Sequence, residues 1–142
     1  MNQVLHSSKD MTWETPQEFF DELNEEFNFT LDPCATHETA KCEEYFTRFD
    51  DGLLRSWEGH TVFCNPPYGR EIGKWVRKAF LESLDPHTTV VMLIPARTDT
   101  RYFHEYIYRK AEVRFIKGRL KFKVNGQSVG SAPFPSMVVV FK

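Results

Sequence analysis

The sequence predicts an α/β fold: a Rossmann-like, mostly parallel sheet with an antiparallel C-terminal part, abbreviated on one flank. Three observations predict it. Apolar runs of strand length alternate with segments of helical periodicity, the pattern of a parallel sheet covered by helices. Val90-Val91-Met92-Leu93-Ile94 is apolar without interruption, as a central strand buried on both faces should be. Late in the chain, Asn125-Gly126 closes a short alternating run, a hairpin signal that brings antiparallel pairing.

Residues 1–11 read as a loose N-terminal tail, and 12–142 as a single domain large enough for its own core. Thr15-Pro16-Gln17-Glu18 reads as a helix start, with Thr15 as N-cap, Pro16 at the first helical position and Glu18 closing a capping box. Phe19, Phe20, Leu23 and Phe27 then share one helical face. Phe29 to Asp32 reads as a short strand ended by Pro33. The polar stretch from Cys34 to Gly59 leaves room for a short helix around Ala40 to Phe46 or one short strand near Tyr45 to Arg48. Only 28 residues, Pro33 to His60, separate the first two strands, too few for two further βα units, so this flank is the abbreviated one.

Thr61 to Cys64 is the second strand. Ile72, Trp75, Val76, Ala79 and Phe80 recur with helical spacing, and Asp85-Pro86 ends that helix. Pro95 stops the central strand. Thr98 or Asp99 can cap a helix carrying Phe103 and Ile107. Val113 to Ile116 reads as a strand broken by Gly118. Leu120, Phe122 and Val124 alternate with Lys121 and Lys123 toward the hairpin, and Ser136 to Phe141 is the final apolar strand.

Composition narrows the function. Apolar content of 41% and 13 Phe fit a globular chain rather than a disordered one. No apolar run approaches the ~20 residues of a membrane span, and residues 1–10 lack a signal-peptide core, so the expected location is cytoplasmic. Three cysteines argue against a disulfide framework. Net charge is only −2, but it is unevenly placed. Residues 1–68 hold 4 Lys/Arg and 14 Asp/Glu, and residues 69–142 hold 14 and 6. Arg109 to Lys123 contains seven basic residues against one acidic, Glu112. Such asymmetry points to a polyanionic partner.

The residues richest in chemistry are Asn65-Pro66-Pro67-Tyr68, at the end of a buried strand, where open α/β sheets bind ligands. Neither proline can donate to a ladder, and Asn65 is pushed to an extended conformation by the proline after it. The Asn65 amide oxygen and the Pro66 carbonyl are then two fixed acceptors, and Tyr68 is a flat ring. Together they suit an aromatic exocyclic –NH2, held by both hydrogens and stacked, which is the need of an enzyme that methylates nitrogen. Cys34, His37, Cys42 and Cys64 match no strong zinc spacing, so no metal is expected.

Trp13-Glu14-Thr15-Pro16, Leu31-Asp32-Pro33-Cys34-Ala35-Thr36, Phe63 to Gly69, Leu93 to Thr100 and Gly118 to Phe122 occur in that order. In this combination, over roughly Thr12 to Lys142, the chain resembles the phage-type DNA N6-adenine methyltransferase family of small Dam-like enzymes. The resemblance implies a class I methyltransferase fold, S-adenosylmethionine as donor, adenine N6 in double-stranded DNA as acceptor, and a place in phage or prophage DNA modification within a bacterial or infected host cell. It implies Asn65, Pro66, Pro67 and Tyr68 as catalytic. It places Trp13, Thr15, Pro16, Asp32, Pro33, Cys34, Ala35 and Asn65 beside the cofactor. Cys34-Ala35-Thr36 stands where many larger methyltransferases carry a glycine-rich loop. Asp50 and Asp51 could supply a carboxylate to the cofactor's adenosine, or simply form a turn with Gly52. Arg97 and Arg101, then Arg119, Lys121 and Lys123, are the candidate DNA contacts, although lysines on an exposed edge also guard against aggregation. Competing readings are a protein glutamine N5 methyltransferase, an RNA adenine methyltransferase, and a noncatalytic nucleic-acid-binding module on the same scaffold.

Overall fold

The computed structural model describes residues 13–142; the expected tail lies outside them. Helix α1 is Gln17–Phe27, β1 Thr61–Cys64, α2 Ile72–Glu82, β2 Thr89–Pro95 and β3 Glu112–Phe115. A two-stranded hairpin follows, β4 Lys123–Val124 and β5 Gln127–Ser128, and then β6, Ser136–Phe141.

The main sheet is mixed, in the order β1-β2-β6-β3. Strands β1 and β2 are parallel, with Val62 opposite Val90. Strand β6 runs antiparallel to β2 on one side and to β3 on the other. Single parallel bridges extend the sheet beyond β1, Leu31 to Val62 and then Asp32 to Tyr45. Every described segment of this sheet except β6 therefore runs the same way. All six residues of β6 are buried, which is why that stretch is apolar without alternation. On α2 the buried residues are Ile72, Trp75, Val76 and Ala79, one face of a 3.6-residue period. On α1, Phe20 sets its ring 5.1 Å from Phe63 of β1 in an edge-to-face contact. Such buried aromatic and aliphatic side chains contribute roughly 1.5–3 kcal/mol each. Among the described residues no helix is long and apolar enough to cross a membrane.

Several local expectations are corrected. Pro16, not Thr15, precedes the first turn of α1, and no side chain caps it, because the Thr15 hydroxyl is engaged by Asn65. The strand expected over Phe29–Asp32 shrinks to two bridged residues, since its outer neighbour pairs only at Tyr45. No helix forms over Ala40–Phe46; that segment instead gives Asp32 its ladder bonds, Asp32 N–H to Glu44 O at 3.1 Å and Phe46 N–H to Asp32 O at 3.0 Å. After β2 the helical element is a short π-type coil, Phe103–Ile107. The hydroxyl of Thr100, not Thr98 or Asp99, accepts from its Phe103 N–H. Leu120 and Phe122 lie outside the hairpin strands, and Phe122 is fully buried.

Gly52 shows why a glycine stands where it does. A Cβ there would lie 2.1 Å from the Pro33 carbonyl oxygen. The Gly52–Leu54 turn thus packs backbone to backbone against the Asp32-Pro33 loop, and Trp57 locks it by donating from Nε1 to Gly52 O at 3.0 Å.

Candidate active site

Leu31 and β1 are parallel neighbours, so Asp32 and Asn65 emerge at the same end of the sheet. They line one small cavity of about 20 Å³, walled by Trp13, Thr15, Cys34 and Phe63. That is room for about one water.

The Asn65 amide is held from two sides. Its Nδ2 donates to the Trp13 carbonyl and to Thr15 Oγ1 at 3.0 Å. Because a carbonyl can only accept, the nitrogen must face Trp13 and the oxygen must face away. Tyr68 Oη donates to that oxygen at 2.8 Å and also approaches Leu93 O at 3.1 Å. Oδ1 keeps a second lone pair. Pro66 is buried, and no hydrogen bond among the described residues engages its carbonyl. Burial holds the Tyr68 phenol well above its ordinary range, so it stays a neutral donor.

The Tyr68 ring is itself covered. Phe134 lies 5.5 Å and Phe122 6.3 Å from it, both edge-on, and Trp13 packs against both phenylalanines. The arm that carries Phe122 is tied to the N-terminal segment: Glu14 and Lys123 exchange backbone hydrogen bonds at 2.7 and 3.2 Å, and the Glu14 carboxylate accepts from Gly126 N–H at 2.9 Å. The segment 13–15 that orients Asn65 therefore also fastens the basic arm, through Glu14. Sequence reasoning missed Phe134, which sits in a Gly/Ser/Pro-rich stretch with no periodicity.

Asp32 is 4% exposed. Its oxygens accept from Cys34 N–H at 3.2 Å and Lys41 N–H at 3.0 Å. Burial dominates these bonds and raises its carboxyl to about 7. A buried carboxylate beside Trp13 and Phe63 suits an organic cation, and Lys41 lies on the rim. This donor set fits the sulfonium and amino-acid end of S-adenosylmethionine, whereas ligands of that size occupy clefts of ~300–1,000 Å³, so the cavity has to widen to admit it.

The remaining expected residues divide. Ala35 is buried and joined through its N–H to Phe46 O. Asp50 is committed to its turn, accepting from Thr47 N–H and hydroxyl at 2.8 and 3.1 Å, which holds its carboxyl low. Asp51 is exposed with φ 60°. Neither lines the Asp32 cavity. Arg97, Arg101, Arg119, Lys121 and Lys123 are all exposed. Arg114, in contrast, leaves the basic run: it pairs with both oxygens of Glu26 at 2.7 Å and with Glu112 at 2.5 Å. Among the described residues no three His, Cys, Asp or Glu side chains gather as a metal set. Burial pushes the Cys34 and Cys42 thiols up to about 12, so neither is a ready thiolate ligand.

A family model described as DNA N-6-adenine-methyltransferase (Dam) matches residues 2–142. The DNA N-6-adenine-methyltransferase of Haemophilus phage HP1 is 30% identical over 96% of this chain and 80% of its own. That of Escherichia phage T1 is 31% identical over 80% of this chain and 48% of its own.

Proposed function

The chain belongs to the DNA N-6-adenine-methyltransferase (Dam) family, and from that membership we propose that the sheet end at Asp32 and Asn65 is where it methylates adenine N6 in double-stranded phage DNA. It is an adenine-specific DNA methyltransferase of the phage type, dependent on S-adenosylmethionine. The observation that carries the site is the shared cavity of Asp32 and Asn65 at parallel neighbouring positions.

The segment order Tyr45, Leu31–Asp32, β1, β2, β6, β3 supports an abbreviated class I methyltransferase sheet. Its chain order reverses between Leu31 and β1, the switch point at which doubly wound sheets bind ligands. Asp32, Trp13 and Cys34 hold the donor's cationic end, and the Lys41 ammonium suits its carboxylate. Thr15 and Pro16 fix the wall, and the Pro33-Cys34-Ala35 loop keeps the carboxylate in place. Asp50 serves its own turn, which leaves Asp51 as the carboxylate for the donor's ribose. Bound S-adenosylmethionine supplies an electrophilic methyl group.

The chain's own residues prepare the acceptor. An adenine amino nitrogen is a weak nucleophile because its lone pair is delocalised into the ring. Asn65 Oδ1 and Pro66 O accept its two hydrogens and favour a pyramidal nitrogen with its lone pair localised. Trp13 and Thr15 prevent the Asn65 amide from turning over, so the acceptor atoms are set in advance. No strong base is needed first, because the nitrogen becomes acidic as it is alkylated. Tyr68 supports the Asn65 oxygen. Its ring becomes available to a flipped base when Phe122 and Phe134 move off with the basic arm of Arg119, Lys121 and Lys123, as that arm engages DNA.

Labelled-methyl transfer to unmethylated duplex DNA, RNA and bulk protein, followed by nucleoside and amino-acid analysis, tests this reading. Label is expected in N6-methyladenine from duplex DNA. Label in RNA adenine or protein glutamine instead would overturn it.

A further inference from the structure

A second cleft, of about 530 Å³, opens between the start of α2 and the segment 100–106. We propose that it is a track for the phosphate backbone of the DNA flanking the target adenine, with Arg70, Arg77 and Arg101 as its phosphate contacts. The proposal rests on the DNA methyltransferase reading and adds to it a surface outside the catalytic cavity.

Placement supports it. Gly69 and Arg70 follow Tyr68 directly, and Thr100 and Arg101 follow the end of β2. Strands β1 and β2 are parallel, so both walls leave the sheet at the edge that carries Asn65. Lys74 and Arg77 are spaced i, i+3 on one face of α2, and Arg70 lies in the turn that leads into it. The opposite face of α2 is the buried one, so Lys74 and Arg77 sit on an anchored element.

Charge and chemistry agree. Four cations line the cleft against one carboxylate, Glu105. None of the ion pairs among the described residues uses Arg70, Arg77 or Arg101. Lys74 meets Glu71 at 3.1 Å, but both are exposed, and such pairs are weak. Tyr102 and Tyr106, half-buried in the same wall, add hydroxyls of the kind that contact phosphate and sugar. Guanidinium groups free of ion pairs beside polar aromatics fit a phosphodiester chain.

The test is the salt dependence of DNA binding by the full chain, together with methyl transfer. Arg77→Ala should weaken binding to any sequence and reduce the slope of log K against log salt by about 1, and Arg70→Ala/Arg77→Ala by about 2. Affinity for S-adenosylmethionine and the circular dichroism spectrum should not move, and Arg77→Lys should keep the slope. Arg48→Ala, which removes an exposed cation stacked on Phe49, should leave it unchanged. If wild type methylates duplex DNA while the double variant keeps the full slope, or if Arg48→Ala lowers it equally, the track is wrong and the enzymatic reading stands. If wild type methylates no DNA, both fall.

Discussion

Asn65 donates to the hydroxyl of Thr15 across 3.0 Å, so a residue 50 positions earlier in the chain orients the acceptor clamp. Thr15→Val keeps the shape and removes the hydroxyl. It should lower kcat roughly five- to tenfold, the worth of one hydrogen bond of about 1 kcal/mol, and Thr15→Ser should restore it. Helical content should stay constant by circular dichroism. A fall in helicity with kcat unchanged would mean that the hydroxyl caps α1 instead.

Asn65→Ala removes the clamp itself. Turnover should fall by at least ~100-fold, the usual cost of losing a pre-set polar group at the reacting centre, with affinity for the donor largely kept. Near wild-type methylation by this variant would sink the assignment.

Asp32 gives the protein a pH signature. Its carboxyl is raised by burial to about 7, against about 4 when unfolded. Between those values the native chain holds a proton that the unfolded chain has released. This group's contribution to stability is therefore full below about pH 4 and is lost as pH rises to 7. A cationic donor binds the ionised form, so its affinity should climb up to tenfold per unit from pH 5 to 7 and then level off. Calorimetry across that range, with Asp32→Asn as reference, decides; an identical pH profile in the variant would remove Asp32 from the site.

Gly52→Ala places a methyl group against the Pro33 carbonyl oxygen, where only 2.1 Å is available. Neither backbone is a flexible side chain that can swing aside. Urea denaturation should show a loss of roughly 1–3 kcal/mol. Donor affinity should fall with it, because the displaced loop carries Asp32. Unchanged stability would show that the two loops do not constrain each other.

Arg114 and Arg119 lie in one basic run and should behave differently. Arg114→Ala breaks pairs to Glu26 and Glu112 that solvent screens, and should leave the salt dependence of DNA binding unchanged. Arg119→Ala should flatten that dependence by about 1. The reverse pattern would exchange their roles.

The buried parts of the fold were legible because burial leaves a periodic mark. Strands β1, β2 and β6 are written as apolar runs, and α2 as a stripe from Ile72 to Phe80. The edges were less legible. Leu31 and Asp32 form only bridges, since strand length there depends on a partner at Tyr45 that no local pattern announces. The sequence around Thr15 carries the signal of an N-cap, but its hydroxyl serves Asn65 instead, because propensity sees three residues ahead and not 50. At the site, Asn65 and Asp32 announced themselves as polar residues beside prolines at strand ends. Phe122 and Phe134 did not, as their role arises from contact with Tyr68. Arg77 resembles an ordinary solvated helix residue and Arg70 an ordinary turn residue; their nearness in sequence to Tyr68 was the available signal.

Strand β6 lies between β2 and β3 and pairs with both. Without β6 the pair β1-β2 and the single strand β3 would have no hydrogen-bonded connection to each other and would each present an open edge. Open strand edges of this kind are the sites at which chains pair wrongly and aggregate, so the docking of β6 also protects the sheet.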